Sequence, residues 1–154
     1  MNETPRISAS LGLRDVLQEF IGLYTKVKRR AVEAGVDPKL VELLLIRASQ
    51  INACAFCLDM HIKDARKLGE SDRRIDMLPA WHETTLYSEQ ERAALALTES
   101  ITTLSEHREV PDDVYEEATR VFTEEQYVTL VWLASIINTF NRLNVTARRQ
   151  LPPE

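Results

Sequence analysis

The chain has 154 residues, enough for one ordinary domain that folds without a disulfide scaffold. With 44% hydrophobic and 28% charged residues it is not a disordered chain, and two cysteines cannot staple a secreted mini-protein. The net charge of −5 argues against nucleic acid as a partner, because that role usually needs a basic patch. The basic residues Lys26, Lys28, Arg29 and Arg30, and the pair Arg148 and Arg149, form only short runs and read as helix-surface charge. The first ten residues lack a basic stretch leading into an apolar one, so no signal peptide is expected. The most apolar stretch, Leu130 to Ile137, is far shorter than the roughly 20 residues a membrane span needs. A cytoplasmic protein is therefore expected. In a reducing compartment two neighbouring cysteines point to catalysis or metal binding rather than to a structural bridge.

Few glycines, only 4, and regular apolar spacing predict an all-α single domain over 1–154, with about seven helices and a core at about 15–145. Residues 1 to about 10 and the tail 151–154 are expected to fray. The first helix runs from about Asp15 to Ala34, with Val16, Phe20, Leu23, Tyr24 and Val27 on one face, and Gly35 stops it. Asp37 caps the second helix, Pro38 opens it, and it reaches about Asn52. Leu40 to Ile46 is apolar nearly all round, which makes this helix central. The third helix starts at Cys54 or Ala55 and ends before Gly69. Ser71 caps a shorter helix that Pro79 interrupts. Ser88 to Glu91 is a capping box that opens a helix to about Leu104. Pro111-Asp112-Asp113 starts the next, ending near Phe122, and a second box, Thr123 to Gln126, opens the last. That last helix is too apolar for a monomer surface, so it is either core or part of a subunit interface. Tyr24 and Trp132 read as core residues.

The chemistry concentrates around Cys54, Cys57 and His61. At about 100° per residue the three share one helix face, and Cys57 and His61 are an i, i+4 pair. An imidazole beside a thiol can take its proton and stabilise the thiolate, which is the reactive form. A helix start near Asn52 to Cys54 would add unpaired N–H groups that favour an anion. The second cysteine can condense with the oxidised first one, so the site is a dithiol able to cycle with a disulfide. Glu42 lies twelve residues before Cys54, a conspicuous carboxylate in an apolar helix. If the two helices pack together, Glu42 can reach the cysteines and serve as a proton acceptor or relay, directly or through water.

The pattern of Glu42, Cys54, Cys57 and His61 resembles the signature of alkylhydroperoxidase D-like proteins in the carboxymuconolactone decarboxylase superfamily. Arg47-Ala48-Ser49-Gln50-Ile51-Asn52, Asp59-Met60-His61, Asp64-Ala65, Trp81, Glu91 to Leu95 and Ile137-Asn138 with Asn141-Arg142 extend the likeness over about residues 15–145. Ala53 departs from it, since relatives often carry glycine there, but a side chain this small is expected still to allow the turn. The resemblance implies an alkylhydroperoxidase D-like helical fold assembled into trimers or hexamers. It also implies thiol-dependent reduction of alkyl hydroperoxides, with Cys57 attacking the peroxide, Cys54 resolving, and His61 with Glu42 relaying protons. It implies a dithiol electron donor such as a lipoyl group, and no flavin, haem or other cofactor.

Other readings remain open on the residues alone. The cysteines could be small buried hydrophobes, or zinc ligands together with His61 and Glu42. Glu42 could be a salt-bridge partner of Arg47 or Arg142. His82 could line the pocket beside Trp81, while His107 is expected to be solvated. Asn138, Asn141 and Arg142 could line the site or satisfy buried backbone groups. A lactone-acid decarboxylase, which needs no cysteine pair, and a non-enzymatic redox or metal-binding module are the competing functions.

Overall fold

A computed structural model describes residues 4–153. Among these the chain is all helix: α1 Ala9–Gly12, α2 Arg14–Glu33, α3 Pro38–Ile51, α4 Ala55–Lys67, α5 Asp72–Met77, a 3-10 segment Leu78–Glu83, α6 Glu89–Thr102, α7 Leu104–His107, α8 Asp112–Val121 and α9 Glu124–Thr146. None is long and apolar enough to cross a membrane.

The predicted boundaries follow local chemistry. Asp37 Oδ1 accepts from the Lys39 N–H at 2.8 Å, with Pro38 at the first helical position of α3. Both capping boxes close in both directions: Ser88 with Glu91, and Thr123 with Gln126. Gly35, at φ 92°, turns the chain after α2 in the left-handed region that glycine enters without strain.

Three features differ from the expected pattern. The segment thought to fray up to residue 10 turns into α1, because the Ser8 hydroxyl accepts from the Leu11 N–H at 3.2 Å; residues 1–3 and 154 lie outside the described residues. The helix from the first box stops at Thr102, and α7 follows as a separate turn. The shorter helix continues past Pro79 only as a 3-10 segment, in which Ala80 leaves helical geometry.

Helix α3 is the axis of the molecule. It packs against α4, α6 and α9 and buries Leu40 to Ile46 completely or nearly so. Leu40, Val41, Leu44, Leu45 and Ala48 join a core that includes Leu97, Leu130, Leu133 and Ile137. Leu43 and Ile46 point the other way, into a second cluster with Ile75, Leu78, Trp81 and Leu95. Each such side chain contributes about 1.5–3 kcal/mol on burial, so α3 is held from both sides. Helix α2 lies across α9 and presents Phe20, Tyr24 and Val27 inward, rotated slightly from the predicted face: Val16 and Leu23 stay exposed. The last helix is core on one side only. Leu133, Ala134 and Ile137 are buried, while Trp132, expected in the core, is 51% exposed on the outer face.

Candidate active site

The turn between α3 and α4 sets the site. Helix α3 ends at Asn52, and Ala53 takes a left-handed conformation at φ 52°. The chain reverses there, and the Cys54 N–H reaches back to the Ser49 carbonyl at 2.9 Å. Cys54 is the N-cap of α4, and Cys57 falls in its first turn. Both sulfurs therefore sit at the positive end of a helix dipole, as expected. They are joined as a disulfide with Cα atoms 5.4 Å apart, and both residues are 1% exposed.

One turn along α4, His61 is buried beside Cys57. Its Nδ1 lies 2.9 Å from Glu42 Oε2. Helix α3 does pack on α4, but the carboxylate expected to reach the cysteines bonds His61 instead. Glu42 is completely buried. Its other oxygen, Oε1, accepts from the Lys28 ammonium of α2. The suggested partners of Glu42 are engaged elsewhere: Arg47 with Glu99, and Arg142 with Asn138. Lys28 was read as surface charge, yet it sits four residues after Tyr24 on the inward face of α2. That spacing on an apolar face was the available signal. Burial works to lower the Lys28 ammonium, but the hydrogen bond to Glu42 and the neighbouring Tyr24 and Glu42 charges outweigh it, so its pKa is raised. Burial likewise pushes the Tyr24 hydroxyl up, with Lys28 pulling the other way.

Cys57 and His61 open onto a cavity of about 400 Å³. Its walls are mostly apolar: Leu17, Ile21, Tyr24, Phe56, Met60, Phe140 and Leu143. Tyr24 is thus a wall of this cavity rather than plain core. Cys54 faces a different, more open groove beside Arg148 and Arg149. The two cysteines therefore line different spaces, a division that their shared helix face did not predict.

Buried amides hold the turn in place. Asn138 and Asn141, one helical turn apart on α9, both accept from Asn52 Nδ2 at 2.9 Å. Asn141 Nδ2 donates to Ser49 Oγ at 3.0 Å, and Arg142 Nη1 donates to Asn138 Oδ1 at 2.9 Å. These residues support the chain just before Cys54 and do not line the cavity. The third amide of the row, Asn144, does line it and touches Cys57 directly. It was missed, although it continues the three-residue spacing of Asn138 and Asn141.

His82 lies outside the site. It stacks on Trp81 and faces Glu99 at 3.3 Å, while His107 is exposed as expected. Burial alone would raise the Glu99 carboxyl, but donors on Trp81 and Arg47 more than offset it and lower its pKa. Three potential ligand groups do come together, but not the set considered from sequence. Glu42, His61 and Asp64 bring ligand atoms within 4.8 Å of one another. The Lys28 ammonium already supplies a positive charge on Glu42, and a metal there would have to compete with it.

The family's sequence profile, described as the carboxymuconolactone decarboxylase family, matches residues 15–100, which contain Lys28, Glu42, both cysteines and His61. The chain belongs to this family. An uncharacterized protein of Bacillus subtilis, YdfG, is a family-sized relative, 39% identical over 90% of this chain and 94% of its own. The crystal structure of a protein of unknown function from Agrobacterium tumefaciens, proposed to be the antioxidant defence protein AhpD, superposes with a TM-score of 0.86. It is 32% identical and covers 98% of this chain and 100% of its own. The family member described here has the alkylhydroperoxidase D-like helical fold.

Proposed function

We propose that the protein is a thiol peroxidase that reduces alkyl hydroperoxides through a Cys54–Cys57 dithiol and disulfide cycle. The observation that carries this reading is the placement of one sulfur of a redox pair, Cys57, on an apolar cavity beside a histidine backed by a buried carboxylate. In the reduced protein, the Cys57 thiolate attacks the outer peroxide oxygen. A sulfur–oxygen bond forms, the O–O bond breaks, and the departing alkoxide takes a proton to leave as an alcohol. Cys54 then attacks the Cys57 sulfur and expels hydroxide, which is protonated to water. Two thiols become one disulfide while one hydroperoxide becomes alcohol and water. A dithiol donor returns the two electrons by exchange.

His61 is the group that moves protons at the cavity, and Glu42 holds it through Nδ1. The apolar walls favour an organic hydroperoxide over hydrogen peroxide, because a chain buried there gives up its contact with water. A lactone decarboxylase, the reaction in the family's name, would leave the redox pair without a role. The oligomer implied by the resemblance is also part of this reading. Leu23, Val128 and Trp132 expose an apolar strip between Lys26 and Arg30 on α2 and Glu124 and Glu125 on α9. Arg30 and Glu125 pair across the strip within the chain, and its exposed apolar side chains are what a second copy would cover.

The test is a thiol titration of reduced protein with and without cumene hydroperoxide. Two thiols per chain should disappear, and peptide mapping should find them linked as Cys54–Cys57. Cys57→Ser should abolish peroxide consumption. An undiminished rate in Cys57→Ser would sink the reading.

A further inference from the structure

We propose that Asn144 is a catalytic residue that stabilises the Cys57 thiolate, and that Arg149 is the positioning residue that aims its amide. The use of that thiolate rests on the peroxidase reading, but its acidity does not. Asn144 is 7% exposed and held at both ends. Its Nδ2 donates to Cys57 Sγ at 3.4 Å, and its Oδ1 accepts from Arg149 Nη1 at 3.3 Å. A guanidinium has only donors, so it can face only the oxygen end of the amide. Arg149 therefore decides which way Asn144 is flipped and turns the N–H group toward sulfur.

Arg149 is anchored in turn. Its guanidinium lies 3.7 Å over the centre of the Phe56 ring, and Phe56 sits between the two cysteines. Its own backbone N–H bonds the Asn144 carbonyl at 3.0 Å in the turn that closes α9. The result is a chain from a fixed cation, through an oriented amide, to one sulfur. Among the described residues, the Cys54 sulfur accepts no comparable hydrogen bond.

The bond matters differently in the two redox states. A disulfide sulfur is a weak acceptor. A thiolate carries full charge, and a hydrogen bond to it is charge-assisted. Asn144 thus favours the ionised form over the neutral thiol, which lowers the pKa of Cys57 and not of Cys54. It also makes Cys57 the better leaving group when a donor thiol opens the disulfide at Cys54. The other charged and titratable groups facing this region are His61 and Asp64 from α4, Glu42 from α3, and Tyr24 and Lys28 from α2. Lys28 and Glu42 pair with each other, and Asp64 opposes the thiolate, so the Asn144 and Arg149 chain adds a stabilisation that the relay side does not duplicate.

The measurement is the pH profile of iodoacetamide alkylation, made in a Cys54→Ser background so that the single thiol reports Cys57. Asn144→Ala should move the profile up by about one pH unit, a roughly tenfold loss of thiolate at a fixed pH below both midpoints. Asn144→Asp should move it further, because a carboxylate then faces the sulfur. Arg149→Gln should give a smaller upward shift, with partial rescue in Arg149→Lys. A profile in Asn144→Ala that overlays the parent would overturn the proposal. Should Asn144→Ala fail to fold, the exposed Arg149→Gln decides, and an unshifted profile there overturns it equally. No peroxide enters this assay. A shifted profile in a protein that consumes no peroxide would defeat the peroxidase reading and leave this inference standing; normal consumption with an unshifted profile would do the reverse.

Discussion

Glu42 illustrates how much a single residue can announce from sequence. A carboxylate among leucines must have a partner, since an unpaired buried charge is costly. The need was legible; the identity of the partner was not. Arg47 was the nearer cation along the chain, but it turns away to Glu99, and the charge comes instead from Lys28 on a neighbouring helix. Lys28→Met leaves that carboxylate buried without a counter-charge. The side chain of Lys28 is 29% exposed, so the penalty falls below that of a fully buried pair. A loss of about 2–3 kcal/mol is expected in urea denaturation of the variant. Adding Glu42→Gln should return part of it, because a neutral amide needs no counter-ion. If Lys28→Met is as stable as the parent, the pair contributes nothing.

At the scale of elements, the capping boxes, Asp37-Pro38 and the two stopping glycines were readable because they act within four residues of themselves. The turn at Ala53 was half readable. The departure from glycine was visible, and the small side chain was expected to be tolerated. The structure shows why it carries a cost: φ is 52°, where a Cβ crowds the following carbonyl. The Asn52 clamp and the Cys54 to Ser49 hydrogen bond hold the residue there regardless. Ala53→Gly should remove the strain. Part of the gain is offset by a more flexible unfolded chain, so a net stabilisation of up to about 1 kcal/mol is expected in thermal or urea denaturation. A destabilised Ala53→Gly would mean that the turn is not strained by its side chain. The face of α2 was misphased for a related reason: exposed Val16 and Leu23 fit the helical period as well as the residues that point inward, and period alone does not tell a core face from an apolar surface.

For the whole molecule, the same ambiguity governs α9. An apolar helix was expected to be either core or interface. Its inner face closes the core, and its outer face leaves Trp132 and Val128 in solvent. If a second copy covers that strip, Trp132→Glu should shift sedimentation velocity toward the monomer while leaving the helical circular dichroism unchanged. A parent protein that already sediments as a monomer would remove the proposed assembly.

By itself the sequence determined the all-helical class and the order of the long helices, and it singled out Glu42, Cys54, Cys57 and His61 as candidates. The helices follow from local rules of period and capping, the cysteines and His61 from spacing within two turns, and Glu42 from being a carboxylate in an apolar helix. Only the tertiary structure decided which distant groups complete the site. Lys28, Tyr24, Asn144 and Arg149 come from parts of the chain far from residues 42–61: Lys28 pairs with Glu42, Tyr24 walls the cavity, and Asn144, held by Arg149, reaches Cys57, because α2 packs on α9 and α9 packs on α3 and α4. No local rule contains that information. It arises when apolar faces from the two ends of the chain are buried together, and the polar groups among them must then find partners across the interface.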